Sequence, residues 1–388
     1  MTLGRVGKEL STFRILILGA GFSKPAGLPL GPELFSEVRR CIAVAHGCDN
    51  TLERDVTRFL KYLRDCEGRD LRSKDVDCEE FLGFLDIEHY LGLEGGDTWS
   101  SEGNVSQLMV RTAIGRVLLE RAPQQLPSAY KRFAARLTPT DWVLTFNYDT
   151  LLERALEEED VCYRLFPYRF SDIGLTSNTV DDSRNEVVIL KLHGSIDWFE
   201  RSGYDESAAI AANSQFPYQA KHPVFGVDRL VDPLPLVDGP RAEGDPLGRV
   251  YRVLDPRPLY QGSIGRCAPF VLAPSSTKLF YARPLHQFWW GLQRAGGLNL
   301  SIGIIGYSLP QHDAYSRQAI YHMIGNFFGY EPELTIGKHT KSKLRIVDYR
   351  PDKASLAEFQ DRYRFVDWNR TELWTSGFDD DAAEWVLR

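Results

Sequence analysis

The sequence FRILILGAGFS at residues 13–23 decides the fold class. Its apolar part, Phe13–Leu18, is typical of a strand buried in a parallel sheet, because such strands are apolar on both faces. The following Gly19-Ala20-Gly21 predicts a tight turn into a helix. Glycines at such a turn let the backbone approach a pyrophosphate, and the N–H groups that follow can hold it.

The loop after this strand lacks the marks of two common motifs. It is not a Walker A loop, because no Gly-Lys-Ser/Thr follows. It is not a Gly-x-Ser-x-Gly elbow, because Pro25 occupies the last position. The sixth position of a dinucleotide fingerprint is Lys24 instead of glycine, so a turn without a ligand is the alternative interpretation.

Short apolar runs recur along the chain, and helical patterns separate several of them. The predicted strands are Trp142–Phe146, Val187–Leu192, Phe270–Ala273, Leu300–Ile305 and Lys343–Val347. The predicted helices of this part are Thr150–Glu159, Leu279–Arg294 and Ala314–Phe328. This alternation predicts an α/β fold: a Rossmann-like parallel sheet with helices on both faces.

Two insertions interrupt the predicted core. Residues 46–139 are helical in pattern and include a surface loop at 93–103, and residues 200–265 hold 8 of the 21 prolines and predict an irregular segment. The core then comprises about 10–45, 140–199 and 266–355, forming one domain over 1–355. Residues 356–388 are expected to be a C-terminal extension, with a possible strand at Phe365–Trp368 and an acidic terminal helix.

Composition excludes several classes of protein. With 46 Lys+Arg against 53 Asp+Glu, the net charge is −7, so direct sequence-specific binding of nucleic acid is not expected. The longest apolar stretches are far shorter than the roughly 20 residues that span a bilayer. None of the 6 cysteines forms a Cys-x-x-Cys pair, and the 8 histidines do not cluster, so we expect no metal and a reduced, cytoplasmic protein.

The segment Thr145–Asp149 follows a predicted strand. Polar groups at the carboxyl ends of parallel strands lie where such folds bind ligands. The amide of Asn147 can orient a sugar hydroxyl or a water, since it offers donors and an acceptor. Asp149 is either part of the site or an N-cap of the next helix, and both roles are compatible.

His193 follows another strand, in the segment Lys191–Ser195. A histidine there can act as a general base near neutral pH, and Gly194 would leave space for a ligand. A structural histidine is the alternative interpretation. Ser195 has no elbow around it, so it is not predicted to be a nucleophile.

Two late strands end in residues suited to a nucleotide. Gly306 and Ser308 predict a second contact to phosphate or ribose, and Asp313 begins the next helix. A plain turn with an Asp N-cap is the alternative. Asp348 follows the last strand of the predicted core, where an acid can bind ribose hydroxyls.

Together these motifs resemble the sirtuin (silent-information-regulator) family. Its members carry, in order, a Gly-Ala-Gly-x-Ser loop ending in Gly-Ile-Pro, an Asn-x-Asp, a His-Gly and a Gly-x-Ser-Leu. The matching segments here are Gly19–Pro29, Asn147–Asp149, His193-Gly194 and Gly306–Leu309.

The chain departs from protein-deacylating sirtuins in two ways. Leu30-Gly31-Pro32 stands where they continue with Asp-Phe-Arg, and their two zinc-binding Cys-x-x-Cys pairs are absent. The resemblance is therefore to the bacterial sirtuin-like branch of antiphage defence, whose members hydrolyse NAD. Some partner a HerA-type hexameric ATPase, and others an Argonaute or another phage-sensing protein.

The resemblance implies roles for individual residues. Asn147, His193 and Asp149 would be catalytic, with Asn147 and His193 at the nicotinamide ribose. The implied NAD-binding residues, apart from these three, are Gly19, Ala20, Gly21, Phe22, Ser23, Gly306, Ser308, Asp313 and Asp348. No chemical role is implied for Asp313.

The expected activity is hydrolysis of NAD to nicotinamide and ADP-ribose. The alternatives are a sensor that binds NAD or ADP-ribose without turnover, and a protein deacylase or ADP-ribosyltransferase. We expect a homo-oligomer, with Trp374, Trp385 and the terminal helix as candidates for an interface. Packing of these tryptophans onto their own domain is equally compatible with the sequence.

Overall fold

Seven parallel strands form the central sheet of the computed structural model, which describes residues 13–93, 102–262, 264, 267–272, 281–292, 295–329, 335–336 and 339–388. The strands are β1 (Arg14–Leu18), β2 (Trp142–Thr145), β3 (Tyr163–Arg164), β4 (Val187–Lys191), β5 (Ser301–Ile305), β6 (Leu344–Val347) and β7 (Thr371–Trp374). Every residue of β1, β4 and β5 is buried, so both faces of the sheet are covered. The predicted Rossmann-like α/β fold is confirmed.

The strand order places a topological switch point beside β1. The order is β7-β6-β5-β1-β2-β4-β3, so the chain first builds the sheet on one side of β1 and then returns to the other. Ile15–Leu18 pair with Trp142–Thr145 on one side and with Ile302–Ile305 on the other. The carboxyl ends of β1 and β5 therefore flank the crevice in which sheets of this type bind ligands.

Thirteen α-helices lie in the described residues, and the layers around the sheet are built from them. They are α1 (Ala20–Ser23), α2 (Gly31–His46), α3 (Thr51–Glu67), α4 (Cys78–Leu91), α5 (Val105–Arg121), α6 (Ser128–Ala135), α7 (Leu151–Glu158), α8 (Ser202–Ala212), α9 (Arg257–Tyr260), α10 (His286–Trp289), α11 (Ala314–Gly329), α12 (Lys353–Arg362) and α13 (Asp380–Val386). The boundaries of α3 follow from its sequence. Asn50 accepts a hydrogen bond from Glu53 N at its start, and Gly68 takes a left-handed conformation at its end.

The Pro-rich segment 200–265 is more regular than predicted. It contains α8, and its strands Pro233–Pro235 and Val250–Val253 form a three-stranded antiparallel sheet with Trp198–Glu200. Two further antiparallel pairs lie outside the central sheet, Phe170–Ile173 with Asn178–Val180 and Thr335–Ile336 with His339–Thr340.

Several predicted elements differ in the structure. At Phe270–Ala273 the described part makes only an isolated bridge between Val271 and Gly194, because that segment runs antiparallel to the loop after β4. The described part of Leu279–Arg294 contains the 3-10 turn Arg283–Leu285 followed by the short helix α10 instead of one long helix. Ala273, Leu279 and Arg294 lie outside the described residues, as does most of the loop at 93–103.

The C-terminal segment is built into the fold. The strand expected at Phe365–Trp368 is wrong by several residues, since β7 lies at Thr371–Trp374 and pairs with β6. Arg14 makes two hydrogen bonds to the Asp141 carboxylate and a third, of 2.6 Å, to Leu387 O, so the chain end is tied to β1 and to the start of β2.

Trp374 and Trp385 pack on each other and on the core, with ring centroids 5.7 Å apart. Both rings are half-buried within their own domain.

No helix in the described parts of the chain is long and apolar enough to cross a membrane.

Candidate functional site

A large cleft opens at the carboxyl ends of β1, β2, β4, β5 and β6. Its volume is about 1820 Å³, well above the roughly 300–1,000 Å³ of ordinary small-molecule sites. Helix α2 of the core and helices α4 and α5 of the inserted region form the opposite wall. Most of the predicted site residues line it: Ala20, Gly21, Ser23, Asn147, Asp149, His193, Gly306, Ser308, Asp313 and Asp348.

Two predicted residues are not in the cleft wall. The Phe22 ring is buried among Tyr130, Phe133 and Phe378. It therefore packs helix α1 onto α6 and onto the C-terminal segment. Gly19 also lies behind the surface. Any contact of Phe22 with a ligand is therefore limited to its backbone.

The glycines after β1 serve a close contact with the turn after β5. Gly19 N donates to Ile305 O and Gly21 N to Gly306 O, both at 2.9 Å. A Cβ on Gly19 would lie 2.6 Å from Gly306 O, and Gly306 itself has a φ of +61°. The N–H groups of Gly19 and Gly21 are therefore bonded to backbone carbonyls, and the binding of a pyrophosphate by the N–H groups that follow stays a prediction.

Asn147, Ser23 and Asp149 form one hydrogen-bonded cluster. Asn147 Nδ2 donates to Gly19 O at 2.9 Å and to Ser23 Oγ at 3.0 Å. Ser23 Oγ in turn donates to Asp149 Oδ2 at 2.7 Å. Both amide hydrogens of Asn147 are thereby used, so Oδ1 is the atom that it can offer to a hydroxyl or a water.

Asp149 lines the cleft, and the N-cap of α7 is the next residue, Thr150, so the predicted N-cap role of Asp149 is wrong by one position. Asp149 Oδ1 accepts from Leu151 N at 3.0 Å, at the first residue of α7, while Oδ2 accepts from Ser23. The same carboxylate therefore closes a turn just before α7 and fixes the serine that contacts Asn147.

His193 is held between an aromatic ring and a carboxylate. Its Nε2 lies 3.2 Å from Asp313 Oδ2, and both side chains are almost fully buried. The ring of Phe146 contacts the imidazole edge-on at 5.0 Å and stacks on Tyr307 at 4.3 Å. A carboxylate in this place stabilises the imidazolium that forms when His193 accepts a proton.

Asp313 also stands at the start of α11, as predicted. Its carbonyl accepts from Arg317 N at 3.0 Å, which is the first hydrogen bond of that helix. The carboxylate contacts His193, so the residue at the start of this helix also takes part in the cleft.

The space beside His193 is not left open by Gly194. A Cβ there would lie 2.0 Å from Phe270 O, and Gly194 has a φ of +77°. The correction is that Gly194 admits a neighbouring segment of the protein instead of a ligand.

Asp348 and Arg350 mark the other end of the cleft. Asp348 Oδ1 accepts from Tyr349 N at 2.7 Å, and Oδ2 accepts from Arg350 Nη2 at 3.1 Å. Burial raises the pKa of the Asp348 carboxyl above its ordinary value, and the neighbouring Arg350 opposes that rise. The half-buried Ser308 lies on the same wall.

Sequence reasoning missed several residues of the cleft. Tyr148 and Tyr307 lie inside the quoted motifs, yet nothing in the sequence indicated a role for their aromatic rings. Leu309 has a φ of +54°, a conformation that costs a non-glycine residue about 1–3 kcal/mol. Arg317 Nη1 donates to Leu309 O at 3.0 Å and so supports that strained turn.

Within the described residues, no group of three or more His, Cys, Asp or Glu side chains is arranged to hold a metal ion.

The fold and this cleft define a Rossmann-like α/β protein with a large cleft at its switch point. Residues 141–225 match the family model of the SIR2-like domain, and this segment contains both Asn147 and His193. Over that segment the chain is SIR2-like, and SIR2-like domains use NAD. The predicted resemblance to the sirtuin family is confirmed.

The similarity to solved structures is low. A solved structure described as "The Structural basis of Sirtuin Substrate Affinity" aligns with 96% of this chain and 92% of its own, at 12% identity and a TM-score of 0.28. A TM-score and an identity this low support no conclusion about activity. Comparison with curated proteins found no match.

Proposed function

We propose that the protein hydrolyses NAD at the bond between nicotinamide and ribose. One observation carries the proposal: a SIR2-like segment presents Asn147 and His193 to the same cleft, each fixed by carboxylate-bearing neighbours. The cleft is large enough for a dinucleotide, and its acid at Asp348 suits the adenosine ribose.

The proposed reaction requires little acid catalysis. The bond from ribose C1′ to the nicotinamide nitrogen breaks, its electron pair stays with the nicotinamide, and that product leaves as a neutral molecule. Water forms the new bond to C1′ and loses its proton to His193. Asn147 Oδ1 orients the water or a ribose hydroxyl, and preorganised groups stabilise the positive charge that develops on the sugar.

The direct test is release of nicotinamide from NAD by the purified chain in the presence of a chelator. We expect equal amounts of nicotinamide and ADP-ribose, with no acceptor peptide and no loss of rate on chelation. Saturable NAD binding without nicotinamide release would refute hydrolysis and identify a sensor. Release that depends on an acceptor peptide would refute it in favour of a protein deacylase or an ADP-ribosyltransferase.

The resemblance to the defence branch supports a biological role. We propose that hydrolysis depletes NAD in an infected bacterial cell, and that the chain acts as a homo-oligomer with a partner such as a HerA-type ATPase or another phage-sensing protein. The measurement is cellular NAD after phage infection, with and without the neighbouring gene. NAD that stays constant in infected cells that hold both proteins would contradict this role.

A further inference from the structure

A buried ion pair lies directly beneath the loop that carries Asn147. Lys191, the last residue of β4, donates from Nζ to Glu153 Oε1 on α7 at 2.7 Å, and the two side chains are 1% and 2% exposed. The same Nζ donates to Asp149 O at 2.5 Å. Lys191 therefore links the strand that leads to His193 with the loop Asn147–Asp149.

The stability of the fold alone does not explain why two charged side chains are buried at this position. Removing two ions from water costs several kcal/mol each, and an apolar pair of similar volume is often as stable or more so. Burial indeed raises the pKa of the Glu153 carboxyl, against the influence of Lys191. The contact that an apolar pair cannot make is the hydrogen bond to Asp149 O.

A second contact ties the same two segments together. Ile196 N, just beyond His193, donates to Tyr148 O at 3.0 Å, while the Ser195 hydroxyl donates its hydrogen to Asp197 Oδ1. The carbonyls of Tyr148 and Asp149 are thus held from the His193 side. The distance between the two catalytic candidates depends on these bonds, because Asn147 precedes Tyr148 and His193 lies between Lys191 and Ser195.

We propose that Lys191 and Glu153 are positioning residues: they set Asn147 relative to His193 by fixing the carbonyl of Asp149. The proposal rests on the hydrolysis proposed above. A displacement of about 1 Å at such a site costs on the order of 10²-fold in rate. The pair therefore acts on turnover more than on binding of NAD, whose remaining contacts lie elsewhere in the cleft.

The test uses the double variant Lys191→Met/Glu153→Leu, which removes both charges and keeps an apolar pair. We expect kcat for nicotinamide release to fall about 10–100-fold, with KM for NAD nearly unchanged. Glu153→Gln preserves the acceptor for Lys191 and should keep most of the wild-type kcat. The control is Lys131→Met, which breaks the exposed ion pair of Lys131 with Glu158, also on α7.

Hydrogen exchange of segment 146–152 gives a readout independent of turnover. We expect exchange there to rise about tenfold in the double variant, with β1 unchanged. Wild-type kcat and wild-type exchange in the folded double variant would overturn the proposal, and if it does not fold, Lys191→Met assayed per folded molecule decides in the same way. Absence of nicotinamide release by the wild type would refute hydrolysis instead, and exchange would still test the positioning role.

Discussion

The two sides of the cleft hold their key residues by different means. On one side, hydrogen bonds among side chains fix Asn147 through Ser23 and Asp149. On the other, His193 is fixed by packing against Phe146 and by one carboxylate contact, to Asp313. A hydrogen-bonded amide keeps a single orientation, whereas a packed imidazole stays in place while its protonation changes. The difference matches an orienting group on one side and a proton acceptor on the other.

Among the residues that support Asn147 and His193, the largest effect is expected on the His193 side. Asp313→Asn keeps the shape of the side chain and removes the charge that stabilises the imidazolium. We expect kcat for nicotinamide release to fall about 10²-fold, with little change in NAD affinity by calorimetry. Asp255→Asn is the matched control, because Asp255 pairs with Arg257 at the surface. If Asp313→Asn keeps the wild-type kcat per folded molecule, the Asp313 carboxylate does not support His193 as a proton acceptor. The proposed difference between the two sides of the cleft would then be wrong.

A smaller effect is expected on the Asn147 side. Ser23→Ala deletes the hydroxyl that joins Asn147 to Asp149 and leaves the buried Asn147 amide and the half-buried Asp149 carboxylate without that partner. We expect the free energy of unfolding to fall by about 1–3 kcal/mol and kcat by about tenfold, measured by denaturation and by nicotinamide release. The exposed Ser207→Ala serves as control, since its hydroxyl bonds only to the preceding turn of α8. Lost stability with full turnover would show that the cluster does not position Asn147 for the reaction.

The smallest effect is expected at the far end of the cleft. The ionised Asp348 accepts hydrogen bonds from ribose hydroxyls in the proposed complex, and burial raises its pKa above the ordinary value of about 3.9. NAD affinity should therefore be highest near neutral pH and weaken as the pH falls through that raised pKa. In Asp348→Asn this pH dependence should disappear, whereas Asp255→Asn should retain it. Calorimetry across the acid range measures both, and an unaltered pH dependence in Asp348→Asn would exclude this residue from the adenosine site.

Much of the sheet was predictable because its central strands are apolar on both faces. The strands β1, β2, β4, β5 and β6 lie within two residues of their predicted limits. The edge strands were not predictable in the same way. β3 has only two residues, and β7 has the mixed sequence TELW with every residue half-buried, so neither shows an apolar run.

The site was predictable as a set of residues and not as a set of contacts. Ten predicted residues line one cleft because parallel strands end at the same edge of the sheet. The contact of His193 with Asp313 joins residues far apart in the chain, and no local pattern reports such a pairing. The close packing of Gly19 and Gly21 against Gly306 also joins residues far apart in the chain, so no local pattern reports it.

The most direct test of the central claim compares Asn147→Ala, His193→Ala and the double variant, with exposed Asn213→Ala and His286→Ala as controls. Turnover is measured as nicotinamide released per folded molecule, beside the melting temperature. We predict that each single variant loses about 10²–10⁴-fold in kcat, and that the double variant is scarcely worse than either, because both groups serve one transition state. Melting temperatures should stay close to that of the wild type. Wild-type turnover per folded molecule in both single variants would contradict the account.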